Sequence, residues 1–121
     1  MTSTPHVSTP SAGGTIEIQD AGRVLAQAEV RPTDDVGVVH SALSVSGGHL
    51  PAGTRTRLVD AVLDSPRVRT AERLLATLPV SDTEMLERMR QRCAVLETRA
   101  AGATKLVEAR LPQVPSPRRP G

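Results

Sequence analysis

The stretch VGVVHSALSV-SGGH-LPAGTRTRLVDAVLD, residues 36–64, changes from the periodicity of a strand to that of a helix. Its first ten residues alternate in polarity, with Val39, Leu43 and Val45 on one face, which is typical of a half-buried strand. From Leu50 onward, apolar residues recur three and four positions apart, which indicates a helix with one buried side. A strand, a glycine-rich loop and a helix in this order predict a crossover to a parallel neighbour.

The rest of the chain predicts four more strands and one more helix. The sequence Asp20-Ala21-Gly22-Arg23 is typical of a tight turn, so the first two strands form a hairpin. In the second strand we expect Val24 to face the same way as Ala26, Ala28 and Val30. The four further strands are predicted at residues 15–19, 24–30, 72–78 and 103–111.

The second helix has the clearest start signal in the chain. Ser81-Asp82-Thr83-Glu84 fits a capping box, in which Ser81 and Glu84 satisfy each other's backbone N–H groups. An apolar stripe then extends the predicted helix as far as the break at Ala100-Ala101-Gly102. The stripe consists of Met85, Leu86, Met89, Cys93 and Leu96.

Together these elements predict an α+β fold with a mixed five-stranded sheet and two helices, in the order β-β-β-α-β-α-β. The pattern leaves open whether the helices cover one face of the sheet or both. Residues 1–13 and 112–121 are rich in Pro, Ser, Thr and Gly and are predicted to be disordered tails. A single domain is therefore expected over residues 14–111.

The composition excludes several functions. The chain of 121 residues contains no Phe, Trp or Tyr, so it has no aromatic platform for unstacked bases and no aromatic cage for quaternary ammonium groups. Its 15 basic residues are interspersed with 13 acidic ones, so a nucleic-acid partner is not expected. One lysine and no asparagine suggest a high-GC bacterium.

The same inspection predicts a cytoplasmic protein. No secretory signal precedes the first predicted strand, and no apolar run is long enough to cross a membrane. Cys93 is the only cysteine, which fits a reducing compartment. It belongs to the apolar stripe, so a buried structural thiol is expected rather than a nucleophile or metal ligand. No catalytic site and no metal site are predicted.

The loop before the first helix is the best candidate for a ligand site. A helix N-terminus offers unpaired N–H groups and the positive end of the helix dipole, so it suits an anion. The candidate anion- or cofactor-binding residues are Gly53, Thr54, Arg55, Arg57 and His49. The alternative is a flexible connection that binds nothing.

This loop and the element order over residues 24–111 resemble the GNAT acyltransferases. That family has an antiparallel meander, a helix, a strand, a second helix and another strand, with Arg/Gln-x-x-Gly-x-Gly/Ala before the first of these helices. The matching stretch here is Leu50-Pro51-Ala52-Gly53-Thr54-Arg55. Leu50 replaces the first motif residue and Arg55 replaces the second glycine. The resemblance implies that backbone N–H groups of this loop hold the pyrophosphate of coenzyme A.

Two functions follow from the sequence. The first is a small protein without cofactor that acts through a protein partner or as a homo-oligomer, because a core without aromatic residues is thin and gains from association. The second, implied by the resemblance, is a GNAT-like acyl-CoA-binding domain or acyltransferase remnant with a coenzyme A thioester as its ligand.

Overall fold

The computed structural model of the chain describes residues 6–8, 14–47 and 49–112, with only the backbone considered at 6–8. These residues form one mixed sheet and three helices. The strands are β1 (His6–Ser8), β2 (Gly14–Asp20), β3 (Arg23–Pro32), β4 (Val38–Val45), β5 (Arg73–Pro79), β6 (Ala94–Ala101) and β7 (Thr104–Arg110). The helices are α1 (Thr54–Asp64), α2 (Pro66–Arg69) and α3 (Thr83–Arg92).

The sheet order is β1-β2-β3-β4-β5-β7-β6. Only β4 and β5 pair in parallel, and the connection between them carries α1, as the sequence predicts. All other described pairs are antiparallel. The α+β class and the mixed sheet are thus confirmed. The predicted numbers of five strands and two helices were too low, because the described residues form seven strands and three helices.

The buried hydrophobic side chains lie on one face of the sheet, under α1 and α3, which contact each other. Leu58, Val59, Val62 and Leu63, the apolar residues of α1 that recur three and four positions apart, are buried there. The opposite face carries partly exposed residues such as His40 and Thr77. Both longer helices therefore cover the same face.

The predicted β2–β3 hairpin is confirmed, with a tight turn at Ala21 and Gly22, whose φ angles are 53° and 79°. A bulge follows, because Ile18 pairs with Ala26 while Gln19 pairs with Val24. Leu25 is the extra residue and is buried. The prediction that Val24 shares the buried face was wrong, because this bulge reverses the alternation and leaves Val24 exposed.

The second predicted helix is too long. The helix α3 ends at Arg92, and residues 94–101 form β6, which pairs with β7. Leu96 is 46% exposed, since it is the extra residue of a second bulge, between the pairs Val95–Ala109 and Glu97–Glu108. The apolar residues from Met85 to Leu96 have helical spacing, and for this reason the helix was predicted to continue past Cys93. That part of the prediction was wrong.

Most of the predicted tails lie outside the described residues. Of the N-terminal segment the structure describes 6–8, whose backbone pairs with β2, so β2 is an inner strand rather than an edge. Of the C-terminal segment it describes Pro112 alone. The edges of the described sheet are β1 and β6, and association with a protein partner or a second copy stays a prediction. None of the described helices is long and apolar enough to span a bilayer.

Candidate functional site

The two parallel strands stop pairing before they end. The paired residues run from Val38 with Arg73 to Ala42 with Thr77. Beyond this point Leu43–Val45 pair with β3 but not with β5, and Leu78 and Pro79 pair with β7 but not with β4. The sheet is therefore open between β4 and β5 at their carboxyl ends, where open α/β sheets commonly place their ligands.

The N-terminus of α1 follows β4 and lacks an internal cap. Its N-cap residue is Gly53, with φ 85°, and no side chain bonds to the exposed end of the helix. The first turn contains no acidic residue. The Thr54 amide donates to the Pro51 carbonyl at 3.2 Å and the Arg57 amide to the Gly53 carbonyl at 2.9 Å. Of the first turn, the amides of Arg55 and Thr56 and the positive end of the helix dipole are therefore left to an external acceptor.

Three of the predicted anion-binding residues, Gly53, Thr54 and Arg55, lie together at this terminus. Thr54 is buried, and its hydroxyl donates to the Pro51 carbonyl at 2.7 Å, so it holds the loop. His49 and Arg57 are exposed. Three of the five residues therefore lie at the start of α1, where Thr54 serves the loop with its hydroxyl group, and their role in binding stays a prediction.

Arg55 bonds to the N-cap residue of α3. Its Nε donates to Oδ2 of Asp82 at 2.8 Å, and the side chains are 34% and 4% exposed, respectively. The sequence did not predict this ion pair. A bulky side chain at the second glycine position of the GNAT pattern is thereby held beside α3.

The N-terminus of α3 is capped differently from the prediction. Asp82, not Ser81, is the N-cap, and its Oδ1 accepts from the Met85 N–H at 3.0 Å. Glu84 accepts from the Thr56 hydroxyl at 3.2 Å. The capping box was wrong by one residue, because Ser and Asp are both strong N-caps and stand next to each other here.

Farther along, α1 and α3 are joined by a charged network. Asp60 accepts from Arg88 at 2.8 and 3.0 Å and from Arg92 at 3.1 Å, while Arg92 also donates to Asp64 at 2.8 Å. Burial raises the pKa of Asp60, but the hydrogen bonds from Arg88 and Arg92 outweigh it and hold the pKa below its ordinary value. These bonds hold the two helices side by side.

Cys93 and His40 lie apart. Cys93 is nine-tenths buried on the helix side, and burial raises the pKa of its thiol despite the nearby Arg92. His40 lies on the opposite face, where Nε2 is 3.2 Å from the Thr77 hydroxyl. The sheet thus separates Cys93 from His40. Among the described residues, no three His, Cys, Asp or Glu side chains cluster in a way that suits a metal ion.

Comparison with known proteins finds the likeness in structure rather than in sequence. No family model matches the chain, and no curated protein gives a significant sequence match. The fold is similar to yncA of Salmonella typhimurium, described as an acetyltransferase and solved with its cofactor acetyl-CoA (16% identity, 88% of this chain and 68% of that one, TM-score 0.60). It is also similar to an N-acetyltransferase from Staphylococcus aureus Mu50 (12% identity, 80% and 66%, TM-score 0.61).

A third solved structure is larger. It is the N-acetylglutamate synthase from Neisseria gonorrhoeae, complexed with coenzyme A and N-acetyl-glutamate (18% identity, 82% of this chain and 26% of that one, TM-score 0.60). The chain spans 68% and 66% of the first two structures. At these identities the likeness concerns the fold. The chain has the fold of the GNAT acetyltransferases over most of its length.

Proposed function

We propose that this chain binds a coenzyme A thioester in the opening between β4 and β5, with the pyrophosphate at the N-terminus of α1. One observation carries the proposal. The parallel pairing ends at Ala42 and Thr77, beside a helix whose first-turn amides have no side-chain cap. Two structurally similar proteins, described as yncA with acetyl-CoA and a synthase with coenzyme A, support the choice of ligand.

The local chemistry suits a pyrophosphate. Gly53 has no side chain, and no heavy atom lies within 4 Å of where a Cβ would be, so a phosphate can approach the backbone. Amide donors and the helix dipole both favour negative charge at this point. Arg55 adds a guanidinium that Asp82 holds in place through Nε.

The thioester end of the ligand would enter between the strands. Unpaired backbone groups at the parted ends of β4 and β5 are available to hydrogen-bond the amide groups of a pantetheine arm. The proposal concerns binding rather than acyl transfer. Transfer needs a proton donor for the departing thiolate, and the tyrosine that would supply it in a GNAT-like enzyme is missing from this sequence.

The test is calorimetric titration of the full chain with acetyl-CoA, using Gly53→Asp and Gly53→Asn as a matched pair. Both residues tolerate a positive φ better than most, and they differ in charge. The aspartate places a carboxylate where the pyrophosphate would lie, so we expect affinity to fall at least about tenfold relative to the asparagine variant.

A folding defect would not mimic this result. Both substitutions are strained at the positive φ of Gly53, so the two variants should lose a similar amount of thermal stability, and only the aspartate should also lose binding through its charge. Pantetheine, which lacks the pyrophosphate, should bind more weakly than acetyl-CoA to the unmodified chain. Equal affinities of the two Gly53 variants, or no binding of acetyl-CoA to the unmodified chain, would overturn the proposal.

A further inference from the structure

A second pocket lies at the other end of the helix pair. It has a volume of about 330 Å³ and is formed by the C-terminal ends of α1 and α3, by α2, and by the residues that follow β7. Because α1 has 11 residues, the pocket lies roughly 15 Å from the N-terminus proposed to hold the pyrophosphate. It is therefore separate from the opening between β4 and β5.

The inner wall of this pocket is apolar. Leu63 of α1, Val68 of α2 and Leu111 after β7 line it, and all three are buried in the main core. The Cys93 side chain, nine-tenths buried, lines it as well. These apolar side chains suit contact with an aliphatic chain.

The rim of the pocket is basic. Arg69 and Arg92 line it, and Arg110 lines an adjoining hollow that shares Arg92 and Cys93. Asp64, the one acidic residue of the lining, accepts a hydrogen bond from Arg92. Arg69 and Arg110 form no ion pair with any residue in the described part of the chain.

An apolar wall beside Arg69, which has no ion pair in the described residues, defines the chemistry of the ligand. We propose that this pocket binds a short aliphatic carboxylate, with its chain against Leu63, Val68 and Leu111 and its carboxylate at Arg69. A guanidinium forms two parallel hydrogen bonds with a carboxylate, which a neutral or cationic head group does not match. The volume is at the small end of the range for small-molecule pockets, which favours a short chain over a long one.

The experiment titrates the full chain with hexanoate and follows the methyl resonances of Leu63, Val68 and Leu111 by NMR. Hexanol and hexylammonium are the matched probes, with the same chain and a neutral or positive head. We expect saturable shifts with hexanoate, weaker binding of hexanol and the weakest binding of hexylammonium. Butyrate should bind more weakly than hexanoate, by about fourfold per methylene removed.

Two variants of α2 assign the carboxylate. Arg69→Gln is expected to weaken hexanoate binding about tenfold and to leave hexanol binding unchanged. Arg67→Gln is the control, because Arg67 lies on the same short helix, is exposed and does not line the pocket. Arg67→Gln is expected to leave the affinities for hexanoate and for hexanol unchanged.

Several results would overturn the inference. Equal affinities of hexanoate and hexanol would mean that the arginines do not select the head group. An absence of shifts at the three methyl-bearing residues, or equal effects of the two arginine variants, would place the carboxylate elsewhere. Because the pocket is separate from the proposed coenzyme A site, acetyl-CoA should not displace hexanoate. If the chain fails to bind one of these two ligands, its binding of the other can still be tested.

Discussion

The N-terminal ends of α1 and α3 are tied to each other by two side-chain bonds but are built in opposite ways. The first has a glycine at its N-cap, no side-chain cap and no acidic residue in its first turn. The second has Asp82 as its N-cap, bonded to the Met85 amide, and Glu84 in its first turn. Both helices follow strands that part from each other, β4 and β5.

This difference indicates which helix is available to a ligand. At α3 the carboxylate of Asp82 supplies the negative charge that a helix N-terminus attracts, so little remains for an external anion. At α1 nothing within the described residues does so through a side chain. Arg55 then links the two ends, because its guanidinium balances Asp82 at the base of α3.

Removal of Asp82 should have the largest effect on this arrangement. Asp82→Ala deletes the cap of α3 and leaves Arg55 without its partner, so we expect a loss of about 2–3 kcal/mol in the free energy of unfolding. Urea denaturation followed by far-ultraviolet circular dichroism measures it, since the chain has no tryptophan for fluorescence.

Asp82→Asn serves as the control for the cap alone. The amide oxygen still accepts from the Met85 N–H but no longer neutralises Arg55, so about half of the loss should be recovered. If both variants were as stable as the unmodified chain, the interaction between the helix ends would contribute nothing to the fold.

The fold was predictable where one periodicity persisted. The stripe Leu58, Val59, Val62 and Leu63 is local in sequence, and all four residues are buried. The prediction failed at Cys93, where helix changes to strand without a proline or glycine to mark the change. Leu96 continued the helical spacing by coincidence and instead lies at a bulge.

The position of three candidate residues at one helix end was predictable from their order in the chain, whereas their role in binding stays a prediction. Gly53, Thr54 and Arg55 are neighbours in sequence, so any helix that begins there brings them together. The bond from Arg55 to Asp82 joins residues 27 positions apart and depends on how α1 and α3 pack. A single sequence contains no periodic signal for such a contact.

A smaller effect is expected at Thr54, whose hydroxyl fixes the loop before α1 in place of a cap. Thr54→Val keeps the buried shape but removes the 2.7 Å bond to the Pro51 carbonyl, so we expect a loss of about 1 kcal/mol by urea denaturation. Thr56→Val is the matched control, since its hydroxyl makes a longer bond, 3.2 Å, at an exposed position. Equal losses would show that the loop does not depend on this bond.

The smallest effect, and the one that depends on pH, concerns Asp60, which holds the two helices together beyond their N-termini. Its pKa in the folded chain lies below the ordinary value of 3.8, because hydrogen bonds from Arg88 and Arg92 outweigh the opposing effect of burial. The unfolded chain therefore takes up a proton at Asp60 more readily than the folded chain. The stabilisation is complete above the ordinary pKa and is lost as the pH falls through it toward the lower folded value.

Asp60→Asn removes this titration. The variant should be less stable than the unmodified chain near neutral pH by under about 1 kcal/mol, because the partly exposed network is screened by solvent. The difference should narrow between about pH 5 and pH 3 as Asp60 of the unmodified chain becomes protonated. Urea denaturation at a series of pH values measures it. Parallel curves down to pH 3 would show that the pKa of Asp60 is the same in the folded and the unfolded chain, so that the charge of Asp60 contributes nothing to the packing of α1 against α3.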